Sequence, residues 1–472
     1  EFTIEHVGIG ECFGRPSFDD YSSEICDFSN SNENKHNVDV EVSLPEGCGW
    51  SIGCPILERG MMGRVKLRSM SESSRCLAHG KNGMDEFRFI DRSNSNAEKY
   101  TLRKKLFHTE NVQPMWVADM DFKTPDFIIK ALRKRLDHEI LGYSFRPEAY
   151  YRSIIDWHRL RHNWKINREW ICFSPGIVPA LNICTLAFTR PGDTIMVQPP
   201  VYFPFFSAVE NHGRNLSYNQ LTENNGRWTM DLESLSANLS SDVKMIIISN
   251  PHNPVGRAWS YEELSRLAEI CVKNNILILS DEIHCDLVLP QYRHQPMATI
   301  SEEVADMTVT CISPSKTFNL AGLSTSSVII SNPVLRKYFN SRIDHIHIGN
   351  GNIFGTAAST TAYSEGHEWL AGLNEYINGN IELVMDYFSE NIPEIIPVRP
   401  EATYMIWLDC RKLGMNSKEL QEFFTLRAGV GMNEGSTFGP GGEGFMRMNL
   451  ATTRSKIRSA LQKIKEVTET IR

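Results

Sequence analysis

Lys244-Met-Ile-Ile-Ile-Ser-Asn-Pro-His-Asn-Pro-Val-Gly256 decides how this chain is read. The run at 244–249 is apolar without alternation, as a strand covered on both faces must be, and it empties into a loop of Asn, Pro and Gly. The pattern recurs on both sides. Residues 169–173 (Trp170, Ile171, Cys172, Phe173) read as a strand that runs into Ser174-Pro175-Gly176. Residues 177–188 are then apolar nearly all round, as in a buried helix. Residues 194–198 form a strand ending at Pro199-Pro200-Val201-Tyr202. Residues 260–273 are the clearest helix, with Ser260 and Glu263 as a capping box and Leu264, Leu267, Ala268 and Cys271 on one face. Strands at 276–280, 308–312 and 326–330 come next; the first two open into Asp281-Glu282-Ile283-His284 and Ser313-Pro314-Ser315-Lys316. Buried strands alternating with helices predict an α/β fold on a mostly parallel sheet. The C-terminal part differs: strands at 404–408 and 445–450, a helix at 417–427 with Gly429 past its end, and an amphipathic helix at 453–471 predict a smaller α+β unit. A helical stretch around 368–390 joins the two.

The chain has 472 residues, which suggests two or three domains, and 41% of them are apolar. Its 57 acids and 49 bases give a net charge of −8, which argues against nucleic acid as the main partner. No apolar run is long enough to span a membrane. Of eleven cysteines, Cys12, Cys26, Cys48, Cys54 and Cys76 precede residue 84, no C-x-x-C pair occurs, and no histidine spacing suggests a metal site. A reducing, cytoplasmic setting is expected. Residues 1–83 lack a sustained period and carry 13 acids against 8 bases. With Glu1 at the start and Met84 ahead of Asp-Glu-Phe-Arg-Phe, they are expected to be a leader, disordered or non-native, the other reading being a targeting or regulatory tail. The expected division is 1–83, an N-terminal segment at 84–125 joining the small domain, a large domain at 126–365 and a small domain at 366–472.

In open α/β sheets ligands bind beyond the carboxyl ends of the strands, and here each strand becomes polar or Gly/Pro-rich at that end. Each residue also has a plainer reading. Asn-Pro and Pro-Gly pairs make ordinary turns. Gly176 is either a turn glycine or a way to bring helix amides to a phosphate. Asp281 is either solvated or, if buried, in need of a cationic or donor partner. Lys316 is a surface lysine or a desolvated nucleophile. Ser313-x-x-Lys316 also fits a serine-hydrolase pattern, but the accompanying Ser-Asp-Asn and Lys-Thr-Gly tripeptides are absent. Gly439-Pro-Gly-Gly-Glu-Gly444 does not follow a strand in a βαβ context and is expected to be a flexible loop, not a dinucleotide fingerprint.

One cofactor needs all of these groups together. Pyridoxal phosphate requires a lysine for the Schiff base, a carboxylate at the pyridine nitrogen, a phosphate cradle and a ring-stacking group. The order of Gly turn, aromatic, Asn-Pro-x-Gly, Asp and Lys resembles fold-type I pyridoxal-phosphate enzymes of the class I/II aminotransferase superfamily. Met115-Trp-Val-Ala-Asp-Met-Asp-Phe122, Asn250-Pro-His-Asn-Pro-Val-Gly-Arg257, Ser280-Asp-Glu-Ile-His284 and Ser315-Lys-Thr-Phe-Asn-Leu-Ala-Gly322 resemble the MalY/PatB branch, the cystathionine β-lyase-like C–S lyases. The resemblance covers residues 84–472 and implies a seven-stranded large-domain sheet flanked by helices.

It also implies roles. Lys316 would carry the cofactor and shuttle the Cα proton, Asp281 would keep the pyridine nitrogen protonated, Asn253 would bond the phenolic oxygen and Tyr202 would stack on the ring. The backbone at Ile177 and Val178, with Ser313, would hold the phosphate, and Tyr143 would reach the phosphate of the other subunit in a homodimer. Arg447 would pair with the α-carboxylate of a small amino-acid substrate. Two positions depart from the better-known aminotransferases and match the lyase branch: Ser324 replaces an arginine, and His284 replaces a tyrosine beside the cofactor. The resemblance therefore implies a C–S β-lyase acting on cystathionine or related cysteine conjugates. An aminotransferase with the same core is the alternative, and a regulator that keeps the cofactor fold is a third reading.

Overall fold

The computed structural model describes residues 87–471, together with two strands, Val40–Leu44 and Val65–Ser69, that pair in parallel. The expectation for residues 1–83 otherwise lies outside the described residues. Glu1–Asp85 and Glu86–Arg472 are separate units.

The centre of the second unit is a seven-stranded sheet. The strands are β1 (Ile171–Ser174), β2 (Thr194–Val197), β3 (Asn215–Tyr218), β4 (Val243–Ser249), β5 (Leu277–Asp281), β6 (Thr308–Ile312) and β7 (Ser326–Ile330). Their order across the sheet is β1-β7-β6-β5-β4-β2-β3. The pairs from β6 through to β3 are parallel, and β7 alone runs antiparallel to both its neighbours. The sheet is therefore mostly parallel, as the buried apolar runs imply.

The reason for those runs is visible in β4. Ile246 and Ile248 pack on one side with Leu264, Leu267, Ala268 and Cys271 of the helix Tyr261–Lys273. Met245 and Ile247 pack on the other with Ala180, Leu181 and Ile183 of the helix Ile177–Phe188. Both faces are covered, so neither tolerates polar residues and the alternation disappears. Helix Tyr261–Lys273 starts where expected: Ser260 accepts from the Glu263 amide, and the Glu263 carboxylate accepts from the Ser260 amide.

The C-terminal part builds a four-stranded sheet from β8 (Ile396–Val398), β9 (Met405–Asp409), β10 (Asn433–Glu434) and β11 (Phe445–Asn449), in the order β8-β9-β11-β10. Helices His367–Asn391 and Arg454–Glu469 accompany it, both within about two residues of the sequence expectation. The helix expected at 417–427 is α-helical only over Ser417–Glu422 and widens into a π-turn at Phe423–Arg427. Gln113–Pro114 pairs with Val430–Gly431, the Asp121 amide donates to Ala451 O and the Asn449 amide to Met115 O. These bonds lay the segment around 113–121 along the C-terminal part. Among the described residues no helix is long and apolar enough to cross a membrane, and the six cysteines are unpaired and buried.

Ser260→Ala removes the cap of helix Tyr261–Lys273. The expected loss is about 1 kcal/mol of unfolding free energy, read from urea unfolding; an unchanged transition midpoint would contradict the cap's role.

Candidate active site

Parallel strands deliver their carboxyl ends to one edge, and β7 completes that edge by running the other way, which puts its first residue there. Ser326 pairs with Ser174 at the end of β1, and its hydroxyl donates to Ser174 O at 2.9 Å. Ser313, just past β6, donates to Thr325 O at 2.9 Å. The Gly176 turn and the Ser313 turn therefore meet in one corner. Helix Ile177–Phe188 begins there with no side-chain cap. The Ala180 amide is used by Gly176 O, and Pro179 has no N–H, so the amides of Ile177 and Val178 are left at the helix start. That is a two-amide seat for an anion at the positive end of a buried helix. The Ser313 oxygen also caps the lysine turn, accepting from the Ser315 amide at 3.1 Å, with Ser315 Oγ 2.9 Å away.

Asp281 ends β5 in register with Ser249 of β4 and Cys311 of β6. It is buried and accepts from the Ile283 amide at 3.1 Å, but no lysine, arginine or histidine pairs with it among the described residues. Burial pushes its carboxyl up to about 7; the Ile283 hydrogen bond and the Lys316 charge pull the other way without cancelling it. Lys316 stands in the short turn Pro314–Thr317 and donates to Ala118 O at 2.6 Å. Part of its side chain still reaches the surface, yet the amine is enclosed by protein. Burial brings it down to about 8, with Arg447 pushing the same way against Asp119 and Asp281.

Arg447, in β11, is buried and has no acid partner among the described residues. Nη1 donates to Asn253 Oδ1 at 2.9 Å, and Nη2 donates to Trp116 O at 3.0 Å and Asn433 Oδ1 at 2.7 Å. Its guanidinium lies 4.8 Å from the centre of the Phe438 ring, and its Nε has no partner. Burial lowers it to about 10, a strong departure for a group that ordinarily stays charged. Asn253 is oriented by Arg447, leaving its Nδ2 without a protein partner among the described residues. His284 is buried near Tyr404, at 6.1 Å between rings, and its Nδ1 is unpartnered. Burial, with Lys316 and Arg447 nearby, brings it down to about 3, so it is neutral. Tyr202 is half-buried; burial raises its hydroxyl, and Arg447 and Asp281 are both close enough to act on it.

The structure thus brings together Lys316, Asp281, Asn253, Tyr202, His284 and Arg447, and gathers Ile177, Val178 and Ser313 in the adjoining corner. Tyr143 is not among them: it is 98% exposed, beside Phe145 at 100%, on a loop that also exposes Ile140 and Leu141. Other participants have no sequence signal of their own. Ala118 acts through its carbonyl, which accepts from Lys316 and also from Tyr404 OH at 2.9 Å. The loop expected to be flexible is packed instead. Gly435 and Gly442 lie so close that a Cβ on Gly435 would come within 1.9 Å of Gly442 O, and Phe438 O accepts from the Val201 amide.

These residues fit pyridoxal phosphate with an amino-acid substrate. Among the described residues a buried acid lacks a cation, a buried cation lacks an anion, two helix amides and Asn253 Nδ2 are free, and His284 Nδ1 has no partner. Similarity to known proteins agrees. Residues 115–464 match the model of the family "Aminotransferase class I and II". The chain belongs to that family. Within it, the chain is 41% identical over 376 residues to cystathionine beta-lyase PatB of Bacillus subtilis, a match covering 79% of this chain and 97% of that protein. It is 28% identical over 381 residues to protein MalY of Escherichia coli, covering 80% and 97%. Among solved structures, cystalysin of Treponema denticola, which contains pyridoxal 5'-phosphate, superposes with a TM-score of 0.80 at 37% identity, over 82% of this chain and 99% of that one. The pyridoxal-phosphate-bound C–S lyase of Staphylococcus hominis does so with a TM-score of 0.75 at 33% identity, over 81% and 97%.

For a class I and II aminotransferase family member with this lysine, attack on an aldehyde needs the neutral amine, whose share grows as pH rises through the lowered value. The rate at which the apoprotein takes up pyridoxal phosphate should climb as pH rises and level off, with a midpoint near 8. A midpoint near 10.5, the ordinary lysine value, would contradict the burial argument.

Proposed function

We propose that this chain is a pyridoxal-phosphate-dependent carbon–sulfur β-lyase acting on L-cystathionine or related cysteine S-conjugates, releasing a thiol, pyruvate and ammonia. The observation that carries the reading is a lysine whose amine is enclosed by protein, Lys316, close enough to feel two buried groups that lack opposite charges among the described residues, the acid Asp281 and the cation Arg447. Two of the relatives named above, cystathionine beta-lyase PatB and the C–S lyase of Staphylococcus hominis, are lyases by name; these, with Ser324 and His284 at the two departing positions, support lyase over aminotransferase.

When bound, pyridoxal phosphate supplies a sink for the electron pair left at Cα. The chain's residues do the rest. Arg447 binds the substrate carboxylate with its guanidinium already aimed by Asn253, Trp116 and Asn433. Asp281 holds a proton on the ring nitrogen: a cation there gives it the partner it lacks and returns it to the ionised form. Asn253 Nδ2 would bond the phenolic oxygen and Tyr202 would cover the ring. The Ile177 and Val178 amides would hold the phosphate with Ser313 beside them, and His284 would stand as a neutral ring beside the cofactor. Lys316, once free, takes the Cα proton, and the C–S bond breaks with its electron pair passing to sulfur. The Lys316 ammonium, steadied by Ala118 O, returns the proton to the departing thiolate. Water then converts the three-carbon remainder to pyruvate and ammonia.

We also propose a homodimer in which Tyr143 reaches the phosphate site of a second copy. The exposed run of Ile140, Leu141, Tyr143 and Phe145 supports it, because side chains of this size are seldom left together in water. The six cysteines among the described residues, all buried and unpaired, support a reducing, cytoplasmic setting.

With L-cystathionine and no oxo-acid acceptor, purified protein should release pyruvate. Turnover only with 2-oxoglutarate would favour an aminotransferase. Cofactor uptake with neither activity would favour the regulator. Arg447→Lys should raise KM ten- to hundred-fold, in line with roughly 1.5–3 kcal/mol for a charged hydrogen bond; an unchanged KM would remove Arg447 from the substrate site.

A further inference from the structure

A second buried carboxylate, five residues beyond Asp281, ties the lysine turn to the rest of the molecule. Asp286 is 2% exposed, and its two oxygens are divided between two tasks. Oδ2 accepts from Thr317 Oγ1 at 2.9 Å, and Thr317 is the residue next to Lys316. Oδ1 accepts from Trp157 Nε1 at 2.9 Å, Arg161 Nε at 3.2 Å and His162 Nε2 at 3.3 Å, all on the helix Glu148–His162. The backbone carbonyl of Asp286 accepts from Asn374 Nδ2 at 3.0 Å, on the helix His367–Asn391. Burial by itself would raise this carboxyl. The His162 hydrogen bond and the Arg161 charge outweigh it and hold Asp286 well below the usual carboxylate range, so it is ionised.

The lysine turn needs such an anchor. Pro314–Thr317 is four residues long, far too short to be stable as an isolated helix, so tertiary bonds decide where it sits. At its front Ser313 caps it and ties it to Thr325 O. At its back the Thr317 hydroxyl is fully buried, and its partner is Asp286. The Asp286 anchor is stiff because three donors from one helix, one of them a cation lying 5.1 Å from the Trp157 ring centre, fix the carboxylate in place.

We propose that Asp286, acting through the Thr317 hydroxyl, is a positioning residue that sets the reach of the Lys316 amine toward the cofactor and the substrate Cα. The two segments that carry Asp281 and Lys316 are thereby held at a fixed offset by one carboxylate. Asp286 acts only through Thr317, because its oxygens are taken by Trp157, Arg161, His162 and Thr317. The proposal rests on Lys316 being the cofactor-bearing lysine.

Thr317→Val keeps the shape and removes the hydroxyl, and Thr317→Ser keeps the hydroxyl. Three quantities are compared with the unaltered protein. They are the dissociation constant of pyridoxal phosphate from equilibrium dialysis of the apoprotein, the pH midpoint of the visible absorbance of the lysine-bound cofactor, and kcat and KM for L-cystathionine. Thr317→Val should weaken cofactor binding at least fivefold, move the pH midpoint by at least half a unit and lower kcat at least tenfold with KM within twofold. Thr317→Ser should restore all three to within twofold. Should Thr317→Val not fold, Thr317→Ala carries the same expectations. A hydroxyl-free variant that melts earlier yet keeps cofactor affinity, pH midpoint and kcat would overturn the proposal, as would failure of Thr317→Ser to rescue. If the unaltered protein takes up no cofactor, the reading of Lys316 fails instead, which is a distinguishable result.

Discussion

A parallel strand cannot turn straight back on itself; the chain must cross over before the next strand starts, so successive strands end at the same edge of the sheet. Much of the candidate site depends on that constraint. Ser249, Asp281 and Cys311 stand side by side at the ends of β4, β5 and β6, so the loops after them, bearing Asn253, His284 and Lys316, open into the same space. The one antiparallel strand does not break the arrangement. Because β7 starts at that edge, it ties the end of β1 to the Ser313 turn and closes the corner where the Ile177 and Val178 amides lie.

Placed there, the polar groups are electrostatically incomplete. Buried charges are costly unless paired, yet Asp281 and Arg447 lack opposite charges of their own among the described residues. The chain bears that cost through neutral partners: the Ile283 amide for Asp281, and Asn253, Asn433 and the Trp116 carbonyl for Arg447. A ring cation beside the first and a carboxylate beside the second would complete both. By contrast, Asp286 and Glu282, buried just beyond, are fully provided for. Asp286 takes four side-chain donors, and Glu282 takes Ser280, His294 and the Met297 amide. The difference separates acids paired within the fold from one that is not.

Much of this is legible in the sequence, for identifiable reasons. Strands buried on both faces leave unbroken apolar runs, which makes all of the large sheet except β3 readable. Asn215–Tyr218 lies at the edge with half-exposed, polar side chains and leaves no such run. The direction of β7 is illegible because an apolar run has no polarity. Lys316, Asp281 and Asn253 stand out because strand ends are where function gathers. Ala118 does not, since it meets Lys316 across 198 residues and acts through its backbone, and Tyr404 reaches the same carbonyl across 286. The glycine-rich segment reads as flexible because composition reports freedom of the unfolded chain; in the fold, its glycines permit a close backbone crossing that no side chain would allow.

Lys316 is proposed here as the covalent anchor of a pyridoxal-phosphate site at this edge. Incubating the protein with pyridoxal phosphate, reducing with borohydride and mapping the labelled peptide tests it most directly. One label per chain is expected, on Lys316, and none when Lys316→Ala is treated alike. A label on other lysines, or substoichiometric labelling shared with Lys316→Ala, would contradict it.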